Sequence, residues 1–133
     1  MSQVEGVSLS EVQERALLDT RRQVLVAAGA GSGKTRLLVA YFVRALVDEG
    51  LPAERLIAVT FTRKAAAELV TRIRSELEAS GRPDLARSLD SATVGTIHGL
   101  CRRLIDDRAL EAGVDPVFSV LEAEAATLVK ERT

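Results

Sequence analysis

Between residues 28 and 35 the chain reads Ala-Gly-Ala-Gly-Ser-Gly-Lys-Thr. No other stretch restricts the fold as much. Three glycines in six residues disfavour a continuing helix or strand, so the backbone must turn there. Before them stands Gln23-Val-Leu-Val-Ala-Ala28, a short continuous apolar run of the kind that forms a buried parallel strand. After them, Lys34 to about Glu49 is apolar almost all round through Leu37, Leu38, Val39, Tyr41, Phe42, Val43, Leu46 and Val47. That pattern predicts a helix buried on most sides, stopped by Gly50 and Pro52. A strand that feeds a glycine loop opening a helix is the start of an α/β unit.

The cycle then recurs. Arg55 to Phe61 is rich in Ile and Val and predicts a second strand. Thr62 can cap a long helix to about Ala79, with Ala66, Leu69, Val70, Ile73 and Leu77 on one face and Gly81 and Pro83 ending it. Ala92 to Ile97 predicts a third strand. His98 to about Leu110 predicts a third amphipathic helix, with Leu100, Cys101, Leu104 and Ile105 facing inward. Gly113 to Pro116 is a turn, Val117 to Leu121 is expected to be extended, and Glu122 to Arg132 helical. Upstream, residues 1–8 read as a leader. Ser10-Glu-Val-Gln13 fits a capping box opening a short helix from Glu11 to about Asp19. Alternating strands and helices predict an α/β fold with a mostly parallel sheet and right-handed crossovers.

The residue types in the loop point to phosphate. Gly29, Gly31 and Gly33 let the backbone close around oxygens and aim its N–H groups inward. The helix that follows brings the partial positive charge of its N-terminus. Lys34 adds a full charge suited to β- and γ-phosphates, and Thr35 a hydroxyl suited to Mg²⁺. The strict phosphate-loop pattern has Gly where this chain has Ala28; the rest of the pattern, Ala30 and Ser32 included, is intact. Such a loop by itself serves kinases, GTPases and ATPases alike.

Composition narrows the classes. Apolar residues are 47% and charged residues 28%, a globular balance. The longest apolar run, Leu37 to Val43, is too short to span a bilayer, so no membrane partner is expected. The acidic N-terminus with Glu5, Glu11 and Glu14 has no apolar core of a signal peptide, which predicts a cytoplasmic protein. One cysteine and one histidine cannot supply a metal-ligand set. Net charge is −1, yet residues 60–108 are mildly basic and residues 109–133 acidic. Aromatics are 3%, so any stacking on nucleic-acid bases rests on one or two residues.

Two further strand ends carry ligand-suited groups. Thr60-Phe61-Thr62-Arg63-Lys64-Ala65-Ala66-Ala67-Glu68-Leu69 begins where the second strand stops, and Gly95-Thr96-Ile97-His98-Gly99 where the third stops. In open parallel sheets, ligands bind beyond such carboxyl ends. With these in place the chain resembles the UvrD/Rep-like superfamily 1 ATP-dependent DNA helicases, AddA and RecB-type helicase–nucleases among them. Leu9-Ser10-Glu11-Val12-Gln13 is similar to their Q motif and Ala28–Thr35 to Walker A. Thr60–Leu69 is similar to motif Ia, and Thr96-Ile97-His98-Gly99 to motif Ib. The four stand in order over residues 9–133.

The resemblance implies a P-loop NTPase of RecA-like type, an incomplete parallel sheet with flanking helices that lacks its later strands. Residues 9–112 would be the N-terminal part of the first RecA-like domain, 1A, and residues 113–133 the start of helical subdomain 1B. It implies ATP and Mg²⁺ as cofactors, with Thr35 toward the metal and Lys34 toward the phosphates. Gln13 would read the adenine edge and Arg36 would lie near the nucleotide. Single-stranded DNA would meet Thr60, Phe61, Thr62, Arg63, Thr96 and His98. The remainder of the helicase, with a second RecA-like domain, and a nuclease or helicase subunit would be partners.

Read as residues, alternatives stand beside these roles. Gln13 also completes the capping box, and Arg36 also suits a solvated helix face. Phe61 also suits the core end of a strand. Arg63 and Lys64 open a helix, where cations are electrostatically disfavoured, so two in a row suggest a load beyond solubility. Hydrolysis needs an acidic pair at a strand end. Asp48-Glu49 ends a helix and Asp106-Asp107 lies within one, so neither serves. The chain is therefore expected to be the N-terminal, non-hydrolysing piece of a larger motor. The competing reading is a stand-alone nucleotide-binding module; a small-molecule P-loop kinase would have no use for Thr60–Leu69 or Thr96–Gly99.

Overall fold

The computed structural model describes residues 9–19, 23–29 and 31–119. They comprise α1 (Glu11–Leu17), α2 (Lys34–Val47), β1 (Ile57–Thr60), α3 (Arg63–Ala79), α4 (Pro83–Ser88), β2 (Thr93–Thr96) and α5 (Ile97–Asp107), with short 3₁₀ turns at Ala53–Arg55 and Leu89–Ser91. The chain divides into two compact units, one ending at Ile97 and one starting at His98. No helix among the described residues is long and apolar enough to cross a membrane.

In the first unit, β1 and β2 pair in parallel, with Ile57, Ala58, Val59 and Thr60 opposite Thr93, Val94, Gly95 and Thr96. The connection between them is α3 and α4. Thr62 starts α3 as predicted: its Oγ1 accepts from the Ala65 N–H at 3.1 Å. The helix ends in a Schellman motif. Gly81, at φ +70°, donates to Glu78 O at 3.0 Å, and Arg82 donates to Leu77 O at 2.8 Å. Pro83 then opens α4 instead of merely closing α3, because its fixed φ and missing N–H suit a first helical position.

The core lies between α2, α3 and one face of the sheet. Val43, Leu69, Ile73 and Leu77 are almost wholly removed from solvent, with Phe42, Leu46, Ala58, Ala86 and Leu89 around them. The predicted inner face of α3 holds at Ala66, Leu69, Ile73 and Leu77, while Val70 is half-buried. A smaller cluster of Leu17, Leu37 and Ala40 joins α1 to α2.

Three expectations are corrected. Residues 23–28 are not a buried strand: they join no ladder among the described residues, and Leu25 is 96% exposed. An apolar run becomes a strand only beside a partner for its N–H and C=O groups, and among the described residues β1 and β2 pair only with each other. In the second unit, α5 buries no residue. Leu100 is half-buried and Cys101, Leu104 and Ile105 are exposed, and the described residues after the helix, up to 119, form turns and loops that leave its apolar face uncovered. Val117 does not begin an extended stretch. Asp115 makes a turn in which its Oδ1 accepts from Val117 N–H at 2.8 Å and its carbonyl from Phe118 N–H at 3.1 Å. The helix expected over 122–132 lies outside the described residues.

Candidate functional site

The glycine loop owes its shape to its backbone angles. Gly31 has φ +76° and Gly33 φ +82°, in the left-handed region where a side chain is strained. A Cβ at Gly29 or Gly31 would meet nothing within 4 Å, so the loop rim is open. Gly33 is the N-cap of α2 and has no side chain to accept from the first-turn N–H groups. Those donors, with the helix dipole behind them, suit an anion.

Lys34 stands at the first position of α2, exposed, and folds back over the loop. Its Nζ donates to Ala28 O at 2.9 Å and also to Gly29 O. Ser32 ties the loop from within, its Oγ donating to Gly29 O at 2.7 Å. Thr35 and Arg36 follow on the exposed first turn. The loop therefore has open rim glycines, a cation already over its mouth, and a hydroxyl one residue on. This donor set fits a polyphosphate with its divalent ion. Among the described residues, no three His, Cys, Asp or Glu side chains gather to hold a metal by themselves.

Gln13 is drawn to the same place by α1. The capping box forms: Oε1 accepts from Ser10 N–H at 2.9 Å, and Ser10 Oγ from Gln13 N–H at 3.4 Å. Its Nε2 reaches across to the loop, donating to Ser32 O at 3.0 Å and Gly33 O at 3.5 Å. Capping and loop contact thus coexist in one side chain. A cleft of about 240 Å³ opens between Val12, Gln13, Val26, Ala28, Ser32 and Lys34. It is below the size of pockets that enclose whole drug-sized ligands and matches one end of such a molecule.

Two residues of this neighbourhood escape a reading of the sequence. The Tyr41 hydroxyl donates to Ala16 O, and Arg44 Nη1 donates to Leu17 O, so α2 caps the last carbonyls of α1. Arg44 is also ion-paired to Glu49 at 3.4 Å. Burial pushes the Tyr41 hydroxyl pKa above its ordinary value; the charge of Asp19 adds to this and that of Arg44 opposes it. Nothing local marks these contacts, because the partners lie 25 and 27 residues away.

The second group of predicted residues sits at the strand ends. Thr60 and Thr96 are register partners at the carboxyl ends of β1 and β2. Thr60 Oγ1 donates to Thr62 O at 2.9 Å, with Gly95 O at 3.5 Å. The Thr62 hydroxyl is committed as the N-cap of α3. Phe61 is 93% exposed, which removes the core-residue alternative. Arg63 and Lys64 are exposed on the first turn of α3, and His98 is exposed on the first turn of α5. The acidic pairs are where the spacing puts them: Asp48 caps the end of α2 and Glu49 binds Arg44, while Asp106 pairs with Arg102 at 3.5 Å within α5.

Known proteins match along the same stretch. The model of the UvrD/REP helicase N-terminal domain matches residues 9–133. The A-type ATP-dependent helicase/nuclease subunit of Listeria welshimeri is 36% identical over 129 residues, covering 90% of this chain and 10% of that protein. Its namesake in Staphylococcus aureus is 30% identical over 137 residues, covering 97% of this chain and 11% of that protein. In Bacillus licheniformis the figures are 34% over 139 residues, 97% and 11%. The chain spans about a tenth of the length of these curated relatives. With the family match running from the helix that carries Gln13 through the loop and both strand ends, the chain belongs to the UvrD/REP helicase N-terminal domain family.

Proposed function

We propose that this chain is the ATP-binding start of a DNA-dependent helicase motor, binding Mg-ATP at the 28–35 loop and single-stranded DNA at the strand ends. The observation that carries the nucleotide reading is the open glycine rim under the Lys34 ammonium, at the mouth of a helix whose N-cap is a glycine. Lys34 would leave the Ala28 and Gly29 carbonyls for the β- and γ-phosphates. Those exposed bonds are worth about 1 kcal/mol each, so the exchange is easily driven by a polyanion. Thr35 would hold Mg²⁺ through its hydroxyl, Gln13 would meet the adenine edge, and Arg36 would lie close by. Bound Mg-ATP supplies the energy of phosphoryl transfer; this chain's residues bind and orient it.

Thr60, Phe61, Thr62, Arg63, Thr96 and His98 are assigned to single-stranded DNA. Phe61 is the stacking element, and its near-complete exposure is the observation in favour. Thr62 contributes through its backbone, since its hydroxyl is committed to α3. The assembled motor would add a second RecA-like domain and a nuclease-type partner, in keeping with the helicase/nuclease proteins to which the chain is similar. The RecA-like architecture belongs to the same proposal: residues 23–28 would enter a ladder once further strands stand beside them. Among the described residues neither Asp48-Glu49 nor Asp106-Asp107 follows a strand, and the 133-residue chain is expected to bind ATP weakly and turn it over negligibly.

The test is calorimetric titration of Mg-ATP into the 133-residue chain and into Lys34→Ala. Measurable binding to the first and none to the second is expected. Equal affinities would overturn the assignment.

A further inference from the structure

Helix α1 carries Gln13 to the loop, yet it has only seven residues. A helix this short does not hold itself in water. The segment after it, over the described residues 23–29, joins no ladder that would hold it in place. What keeps α1 in position must be what it touches. Its apolar side meets Leu37 and Ala40 through Leu17. At its last turn, Ala16 O accepts from the Tyr41 hydroxyl beside the Asp19 N–H at 3.3 Å, and Leu17 O accepts from Arg44 Nη1, both side chains belonging to α2. Along α2 these two lie seven and ten residues beyond Lys34, about 10 and 15 Å along the axis.

We infer that Tyr41 and Arg44 are positioning residues for the nucleotide site: by capping α1 from α2 they hold Gln13 against the phosphate loop. The route is continuous. Tyr41 and Arg44 bind Ala16 O and Leu17 O, α1 spans from there to Gln13, and Gln13 Nε2 binds Ser32 O and Gly33 O. Arg44 is further steadied by Glu49 just past the end of α2, so the capping arm is braced on both sides. Loss of the caps frees the far end of α1, and Gln13 then samples positions off the loop. The inference rests on the nucleotide reading for its consequence, though not for its geometry.

The experiment separates the two. Tyr41→Phe keeps the ring in the α1–α2 cluster and removes only the hydroxyl, and Arg44→Met removes only the polar head. In the 133-residue chain, the side-chain amide resonances of Gln13 are followed by NMR without nucleotide. The double variant is expected to move them to the solvent-exposed position, while Arg44→Lys, which retains a donor, leaves them near their original place. An unmoved Gln13 signal in the double variant would overturn the inference, whatever the chain does with ATP. Mg-ATP affinity is then measured by calorimetry, below the unfolding transition of every variant. Two lost hydrogen bonds predict about a tenfold weakening for the double variant. In a Gln13→Ala background the same double variant is expected to add nothing, because it acts through Gln13. Full additivity would mark α1 docking as merely structural and overturn the positioning role. If the Gln13 signal moves but the unaltered chain binds no Mg-ATP, the nucleotide reading fails and the positioning of Gln13 stands.

Discussion

Gly33 resists a side chain through its backbone angle and through Gln13. Its φ of +82° is strained for an L-residue, and a Cβ there would stand 2.7 Å from Gln13 Nε2. Gly33→Ala is therefore expected to cost about 1–2 kcal/mol in folding free energy and to expel Gln13 from the loop. Urea denaturation reads the first effect, and weaker Mg-ATP binding in calorimetry the second. Tyr41 offers a different probe, because the chain has one tyrosine and no tryptophan. Burial and the charge of Asp19 raise its pKa above the ordinary value of 10.0. Its contribution to stability is thus present in full below the unfolded-state value and is lost as pH rises through the folded one. In a titration followed by tyrosinate absorbance, the midpoint is expected above that of a denatured control. Stability should fall over the same alkaline window, as the hydroxyl loses the proton it donates to Ala16 O. A midpoint equal to the control would contradict the burial of the Tyr41 hydroxyl.

At the scale of elements, α3 is the spine of the first unit. Ile73 is fully buried between α2 and the sheet, so Ile73→Ala removes packing that nothing nearby can refill. A loss of about 2–5 kcal/mol is expected in chemical denaturation. Elements of this kind are legible in the residues, because local signals and tertiary demands agree in them. Thr62, the 3.6-residue spacing of Ala66, Leu69, Ile73 and Leu77, and Gly81 mark α3 from end to end. The loop is legible for the same reason, its glycines and Gly-Lys-Thr being a local code. Residues 23–28 mislead because strand formation depends on a neighbour that a local pattern cannot show. The apolar stripe of α5 misleads likewise: periodicity gives a face and not what meets it. Pro83 reads as a stop, yet its chemistry equally suits a start. The roles of Tyr41 and Arg44 are invisible in the residues, since their partners are carbonyls far away in the chain.

For the molecule as a whole, the near-zero net charge hides a division of labour. The basic residues at 63 and 64 flank an exposed aromatic at a strand end, while the acidic pairs sit in or beside helices, tied to Arg44 and Arg102. The proposal that the loop itself takes the phosphates concerns backbone N–H groups. It is tested most directly by hydrogen exchange at individual amides, with and without Mg-ATP. Mg-ATP is expected to slow exchange at the amides from Gly31 to Thr35, and Lys34→Ala to abolish this protection. Exchange unchanged at those amides, under conditions where calorimetry shows ATP bound to the chain, would contradict it.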